Sequence, residues 1–438
     1  YTVRQIDFAG NTTTNDEVLR REFNVAEGDV LDRALLDRSM QKLQQLGYWV
    51  PAEEPTLAPV EGTDQVDVIV RGEEQSRNEV QVGGGYSELE GAFFLASYQT
   101  RNFLGRGETL GVNLTVGGRS NQAALNFVEP WLFGRPITLG LSIFRRSYDF
   151  GVARDIQGNT QNLNQAGTGG SITVGRRIGD FTQLSLIWSF EQVEASTIDL
   201  SAQFATTETV LSNITPVFNY KRVNNYLRPT YGYELSVLPT ISLKALGSDL
   251  DYFKPRLAGT IYRPLGPRFF LAGHGEIAWI WPFREVERAP GYVDGVPRFQ
   301  RYFIGGDIIG PRIFETRTIS PVRFIVQLDQ NGNPVVGPGG NPQVALAQVG
   351  GSKMALLQFE AGVLIGKTAT LVGFFDAGGA YDNGVDISWD ESRASAGFEF
   401  RVFLPVFQAP IRLIYGWPVK EQPFDQTSQF QFSIGLPF

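Results

Sequence analysis

The 438-residue chain has no cysteine, one histidine and two methionines. The missing cysteines exclude disulfides, thiol nucleophiles and thiolate-bound metals, and are compatible with a periplasmic or surface location. The lone imidazole, His274, lies two residues from Glu276 in LAGHGEIAWIW, on the same face of an expected strand. A solvated pair inside a lumen is the expected reading of these two residues, rather than a metal or acid–base site. Long apolar runs are absent too. No uninterrupted stretch approaches the roughly 18 residues of a membrane-spanning helix, and mean hydropathy is −0.12, so a membrane protein of this composition must cross with strands. Positive charge is in deficit, with 38 basic against 46 acidic residues and a net of −8, which argues against a nucleic-acid backbone as the main partner. No Walker loop or Gly-x-Ser-x-Gly elbow is found, and GGGYSE, from Gly83, lacks a lysine and precedes a strand. The chain is therefore expected to be no enzyme, with no catalytic residue, metal or cofactor. No signal peptide precedes Tyr1, so a mature fragment or a truncated piece is expected.

What is abundant points to β-structure: 49 glycines, 32 phenylalanines and 12% aromatics. From Glu79 onward, short segments alternate apolar and polar residues between turns rich in Gly, Pro and Asn. The clearest are Leu110–Val116, Ile137–Ile143, Leu184–Phe190 and Ile411–Trp417. The last ten residues, QFQFSIGLPF, place Phe430, Phe432, Ile434, Leu436 and Phe438 on one face and end on an aromatic. About sixteen such strands can be placed, an even number suited to an antiparallel transmembrane β-barrel with both ends in the periplasm. Short turns such as Asn102–Gly107 and Arg263–Pro267 would be periplasmic, and stretches at about 149–166 and 195–208 extracellular. The connection at about 282–351 is far longer than an ordinary turn. A soluble sandwich or propeller is the alternative, but no blade-length repeat is present.

Residues 1–74 read differently. A strand through Val3, Ile6 and Phe8 ends at Gly10-Asn11, and Thr14-x-x-Glu17 has the form of a capping box opening a helix with Val18, Leu19 and Phe23 on its apolar side. A second helix is predicted from about Asp32 to Leu46, with Gly47 at C′. Strands near Tyr48–Val50 and Gln65–Arg71 follow, giving the order β-α-α-β-β.

That order, with its GN turn and LQQLGYW segment, resembles a POTRA domain, and the strings NFLGRG, SAGFEFRVFLP, IRLIYGWPVK and QFQFSIG resemble the barrel of the BamA superfamily. The likeness covers essentially the whole chain, as the last POTRA domain (1–74) and the barrel (75–438) of a protein truncated upstream. Within Arg301–Pro321, Pro311-Arg312-Ile313-Phe314 is similar to the family's Val-Arg-Gly-Phe/Tyr tip of an inward-folded loop, with Pro and Ile replacing Val and Gly. Losing that glycine excludes easy access to positive φ. Phe374-Phe375-Asp376-Ala377-Gly378 matches its Phe-x-Asp-x-Gly motif. The resemblance implies that Arg312 pairs with Asp376 to anchor the loop, with a further acceptor from Gln358 or Glu360. It also implies a lateral gate where the first strand, about Asn78–Tyr86 with Gly83, Gly84 and Gly85, meets the last, with Phe430, Phe432, Gly435 and Phe438. The implied function is insertion of β-barrel clients into the outer membrane of a Gram-negative-type bacterium. Its implied partners are unfolded outer-membrane proteins, accessory periplasmic lipoproteins and membrane lipid. A two-partner secretion or TamA-like translocator, or a passive channel, is the alternative.

Overall fold

A computed structural model describes the chain except residues 88–89, 150–152, 155–159, 162–163, 199–203, 227, 284–291, 294, 327–332, 338, 404–409 and 435–438. Two compact units divide it: residues 1–81 with 96–113 and 124–142, and residues 82–95 with 114–123 and 143–438.

In the first unit, β1 (Thr2–Ala9) pairs in parallel with β4 (Gln65–Glu74), and β2 (Trp49–Pro51) and β3 (Thr56–Pro59) pair antiparallel with β4. The order is thus β-α-α-β-β-β, one short strand more than the sequence pattern suggests. Helices α1 (Asp16–Arg20) and α2 (Arg33–Leu46) cover this sheet. Val18, Leu19, Leu36 and Leu43 meet Val3, Ile6, Trp49, Val68 and Val70 in one core. Gly72 is without a side chain because the Trp49 ring fills that volume: a Cβ there would lie 2.2 Å from Cζ2. Asp32 caps α2 by accepting from the backbone N–H of Ala34, and Gly47 ends it at φ 75°.

The expected capping box does not form. Asn15 is the N-cap of α1 and makes no side-chain cap bond. The Thr14 hydroxyl instead donates to Glu74 Oε2 at 3.0 Å and accepts from Asn102 Nδ2 at 2.7 Å. Asn102 is fully buried, adopts φ 58°, and accepts from Gly107 N–H at 2.8 Å. A tertiary partner outcompetes the local one because the hydroxyl would otherwise be buried away from the sheet residue that can satisfy it.

Sixteen strands follow: β5 (Asn78–Ser87), β6 (Gly91–Phe103), β7 (Glu108–Gly117), β8 (Ser120–Glu129), β9 (Thr138–Asp149), β10 (Asn164–Ile178), β11 (Thr182–Ile198), β12 (Phe204–Val223), β13 (Gly232–Ser242), β14 (Tyr252–Pro264), β15 (Phe269–Trp279), β16 (Lys353–Ile365), β17 (Ala369–Tyr381), β18 (Arg393–Val402), β19 (Ile411–Lys420) and β20 (Phe430–Ile434). Each hydrogen-bonds to the next, and β20 returns to β5 in an antiparallel barrel. β11 and β12 run further than their sequence pattern suggests, so most of the expected loop at 195–208 is strand. The stretch at 149–166 holds a small pair, Ala153–Arg154 with Thr160–Gln161.

The outer face is apolar. On β11 alone, Leu184, Leu186, Trp188 and Phe190 are 39–49% exposed at alternate positions. A patch of this kind repeated around a sheet requires hydrocarbon rather than water. No helix among the described residues is long and apolar enough to cross a membrane.

Candidate functional site

The connection from β15 to β16 turns back into the barrel. Tyr302 and Gly351 bridge its two ends, Ile304 and Ile319 exchange backbone hydrogen bonds, and Ile304, Phe314 and Ile319 pack on Ala278, Met354 and Leu356 of the wall. Near its entry, Arg301 donates to the carbonyls of Gly350 and Val293 and to Asp382, just beyond β17, which also accepts from Arg323 at 2.8 Å.

Arg312 sits at the tip, 1% exposed. Its Nε and Nη2 grip Asp376 at 2.7 and 2.6 Å, its backbone N–H adds a 3.0 Å bond to the same carboxylate, and the guanidinium lies 4.0 Å from the Phe374 ring centroid. The Nη1 group donates to Glu360 at 2.8 Å and to Glu399 at 2.7 Å. Of the two candidate acceptors on β16, the structure brings Glu360 to Arg312. Gln358 lies beside Gly310 instead, where a Cβ would meet its Nε2 at 2.8 Å. Gly378 leaves space that a Cβ would share with the Ala355 carbonyl, 2.6 Å away. Phe314 is fully buried in the loop core.

The tip conformation corrects one expectation. Ile313 adopts φ 77° although it is β-branched. Its side chain is fully buried against Phe374 and Ile414, and that contact offsets a backbone penalty of about 1–3 kcal/mol.

Sequence reasoning missed half of the charge cluster. Arg401 donates to Glu399 and Glu360, both at 2.6 Å, and Arg412 donates to Glu399 at 2.7 Å and to the Asp307 carbonyl at 2.9 Å. Three guanidiniums thus balance Asp376, Glu360 and Glu399, and the Asp307 carboxylate lies 4.0 Å from Arg412. Alternation was the available signal. Glu399, Arg401 and Arg412 fall on the face opposite Phe398, Leu413 and Tyr415, so they point inward.

At the seam, Gly84 and Gly85 face Phe93: a Cβ on Gly85 would lie 2.6 Å from its ring and one on Gly84 2.9 Å from its carbonyl oxygen, whereas Gly83 has open space. Phe430 points outward at 57% exposure, and Phe432 lies 6.0 Å from Tyr86, ring to ring. Gly435 and Phe438 fall outside the described residues. A cavity of about 980 Å³ beside the loop is lined by Lys254, Arg256, His274, Glu276, Arg317 and Gln358 among others. His274 Nδ1 shares a hydrogen bond with Thr260 at 2.8 Å, and Glu276 is held by Arg256 at 2.7 Å.

Two family models match this chain. One, described as the Omp85 superfamily domain, covers residues 102–438, and the POTRA model, described as a surface antigen variable number repeat, covers residues 1–75. The outer membrane protein assembly factor BamA of Nitratidesulfovibrio vulgaris is 26% identical over all of this chain and 51% of its own length. Its namesake from Neisseria meningitidis is 23% identical over all of this chain and 56% of its own. The chain therefore spans about half the length of these curated relatives. A crystal structure of BamA from Haemophilus ducreyi lacking POTRA domains 1–3 shares the fold, with a TM-score of 0.82, 23% identity, and coverage of 99% of this chain and 84% of that one.

Proposed function

Since the chain belongs to the Omp85 superfamily, we propose that it is the barrel-bearing part of an outer-membrane protein assembly factor that folds and inserts β-barrel clients. Residues 1–74 form its periplasmic POTRA domain and residues 75–438 its barrel, in the outer membrane of a Gram-negative-type bacterium. The names and reach of the relatives support this assignment, and the apolar outer face supports the placement.

The mechanism rests on the seam. β5 carries Gly83, Gly84 and Gly85 in succession, and glycine weakens a strand and adds no side chain to its pairing, so the junction of β5 with β20 is the cheapest place to open the wall. This is the observation that carries the reading. An opened β5 presents unpaired backbone N–H and C=O groups at membrane depth, where they are strongly unfavourable until a client strand pairs with them. Folding of the client drives the process, with no chemical step. The charge cluster holds the loop against β16–β19, so that part of the wall stays fixed beside the moving seam. Unfolded outer-membrane proteins, accessory periplasmic lipoproteins and lipid are the partners in this scheme.

Depletion of the parent protein in its own cell, followed by quantification of all folded outer-membrane barrels, is the test. A general loss is expected. Loss of one exported protein or one solute flux, with other barrels intact, would replace this reading with a dedicated translocator or channel.

A further inference from the structure

The loop tip does more than hold charges. Ile313 C=O accepts from Ser428 N–H at 2.8 Å, Glu315 N–H donates to Gln426 C=O at 2.8 Å, and Phe314 bridges Thr427 in antiparallel fashion. The tip thereby forms a short extra strand against the connection that leads into β20. From β20 itself comes Gln431, which is 2% exposed and faces inward between outward Phe430 and its neighbours. Its Oε1 accepts from Ile313 N–H at 2.9 Å and its Nε2 donates to Phe314 C=O at 3.1 Å. One side-chain amide thus copies a peptide group and adds a rung between the tip and the last strand. Only this orientation of the amide satisfies both backbone groups.

The chemistry of attachment differs between strands. Glu360 ties the tip to β16, Asp376 to β17 and Glu399 to β18, Arg401 of β18 braces Glu360 and Glu399, and Arg412 connects β19 to the loop through Asp307. From β20, the Gln431 amide gives the tip a neutral side-chain tie. Charge-assisted bonds are roughly twice as strong as neutral ones.

We propose that Gln431 is a positioning residue that latches the last strand to the loop tip, so that losing its hydrogen bonds to Ile313 and Phe314 loosens β20 from the tip while the loop remains locked to β16–β19. The proposal deepens the seam reading above and rests on it for its functional meaning, but its structural content is tested separately.

The experiment is fragment-resolved hydrogen exchange on the full-length parent protein in lipid nanodiscs. Gln431→Met keeps the length of the side chain and removes the hydrogen bonds to Ile313 and Phe314. It should speed exchange across residues 430–434 about tenfold and leave β16 and β17 unchanged. Gln431→Glu retains an acceptor for Ile313 N–H and loses the donor, and should fall between wild type and Gln431→Met; it also serves if the methionine variant does not fold. Unchanged exchange at 430–434, or an equal rise in β16 and β17, would overturn the latch. Client folding by the same nanodiscs reports on the seam reading alone: faster β20 exchange with undiminished sensitivity to a disulfide-locked seam supports both. Faster exchange with full activity in the locked barrel keeps the latch and removes the gate.

Discussion

Arg412 lies opposite Arg401 in the β18–β19 register, yet reaches diagonally to Glu399, with Nε 2.7 Å from Oε1 and Nη2 3.2 Å from Oε2. Two arginines on facing strands would repel, and Glu399 relieves this by accepting from both while also receiving Arg312. It is the hub of the cluster.

Removing that hub leaves buried guanidiniums short of a counter-charge, which typically destabilises by about 3–5 kcal/mol. Glu399→Gln should therefore lower the urea midpoint of the folded barrel in detergent far more than Glu234→Gln, whose pair with Lys221 is partly exposed and accounts for about 1 kcal/mol or less. Equal shifts would show that the cluster does not hold the barrel together.

Arg312 uses a planar fork on Asp376 and two further carboxylates, a geometry that a lysine ammonium cannot reproduce. Arg312→Lys and Arg312→Ala should both slow client folding by about tenfold or more. Arg317→Ala, which removes a guanidinium 4.8 Å from the Phe303 ring, should stay within about threefold. A reconstituted client-folding assay decides, and equal losses would remove the reason for singling out Arg312.

Asn102 combines a positive φ with two side-chain hydrogen bonds. Asn102→Gly loses the bonds and keeps the backbone relaxed. Asn102→Ala loses the bonds and adds about 1 kcal/mol of left-handed strain. Both should increase proteolysis of residues 1–74 in the intact protein, the alanine variant more. The reverse order would mean that packing, not backbone conformation, governs this turn.

Glu27 accepts from Ile6 N–H at 3.0 Å and from Arg20 at 3.0 Å, and these partners hold its carboxyl below the usual range, the backbone bond contributing most. With the folded value below the unfolded one of about 4.3, the stabilisation is complete above that value and lost as pH falls through the folded value. Glu27→Gln should therefore loosen residues 1–74 at neutral pH, and the gap from wild type should close in acid. Protease protection followed against pH would reveal a constant gap if the carboxylate is irrelevant.

Sequence and structure divide this protein along a physical line. Period-two alternation, as in Leu184–Phe190, and the 3.6-residue spacing of Leu36, Leu43 and Leu46 were legible because each follows from one element facing one solvent. The absence of long apolar runs, with the aromatic last strand, determined that a membrane could be crossed only by strands. Arg312, Asp376 and Glu360 could be named as partners through a resemblance, but nothing local chose Glu360 over Gln358. That choice came from the β16–β17 register, where Gln358 faces Asp376 and Glu360 reaches the guanidinium diagonally. Thr14 shows the opposite failure, a sound local motif abandoned because Glu74 and Asn102 satisfy the same hydroxyl from 60 and 88 residues away. The convergence of Glu399, Arg401, Arg412 and Gln431 on one loop tip belonged to tertiary structure alone, because buried charges and amides take their partners from whatever the closed barrel brings within about 3 Å.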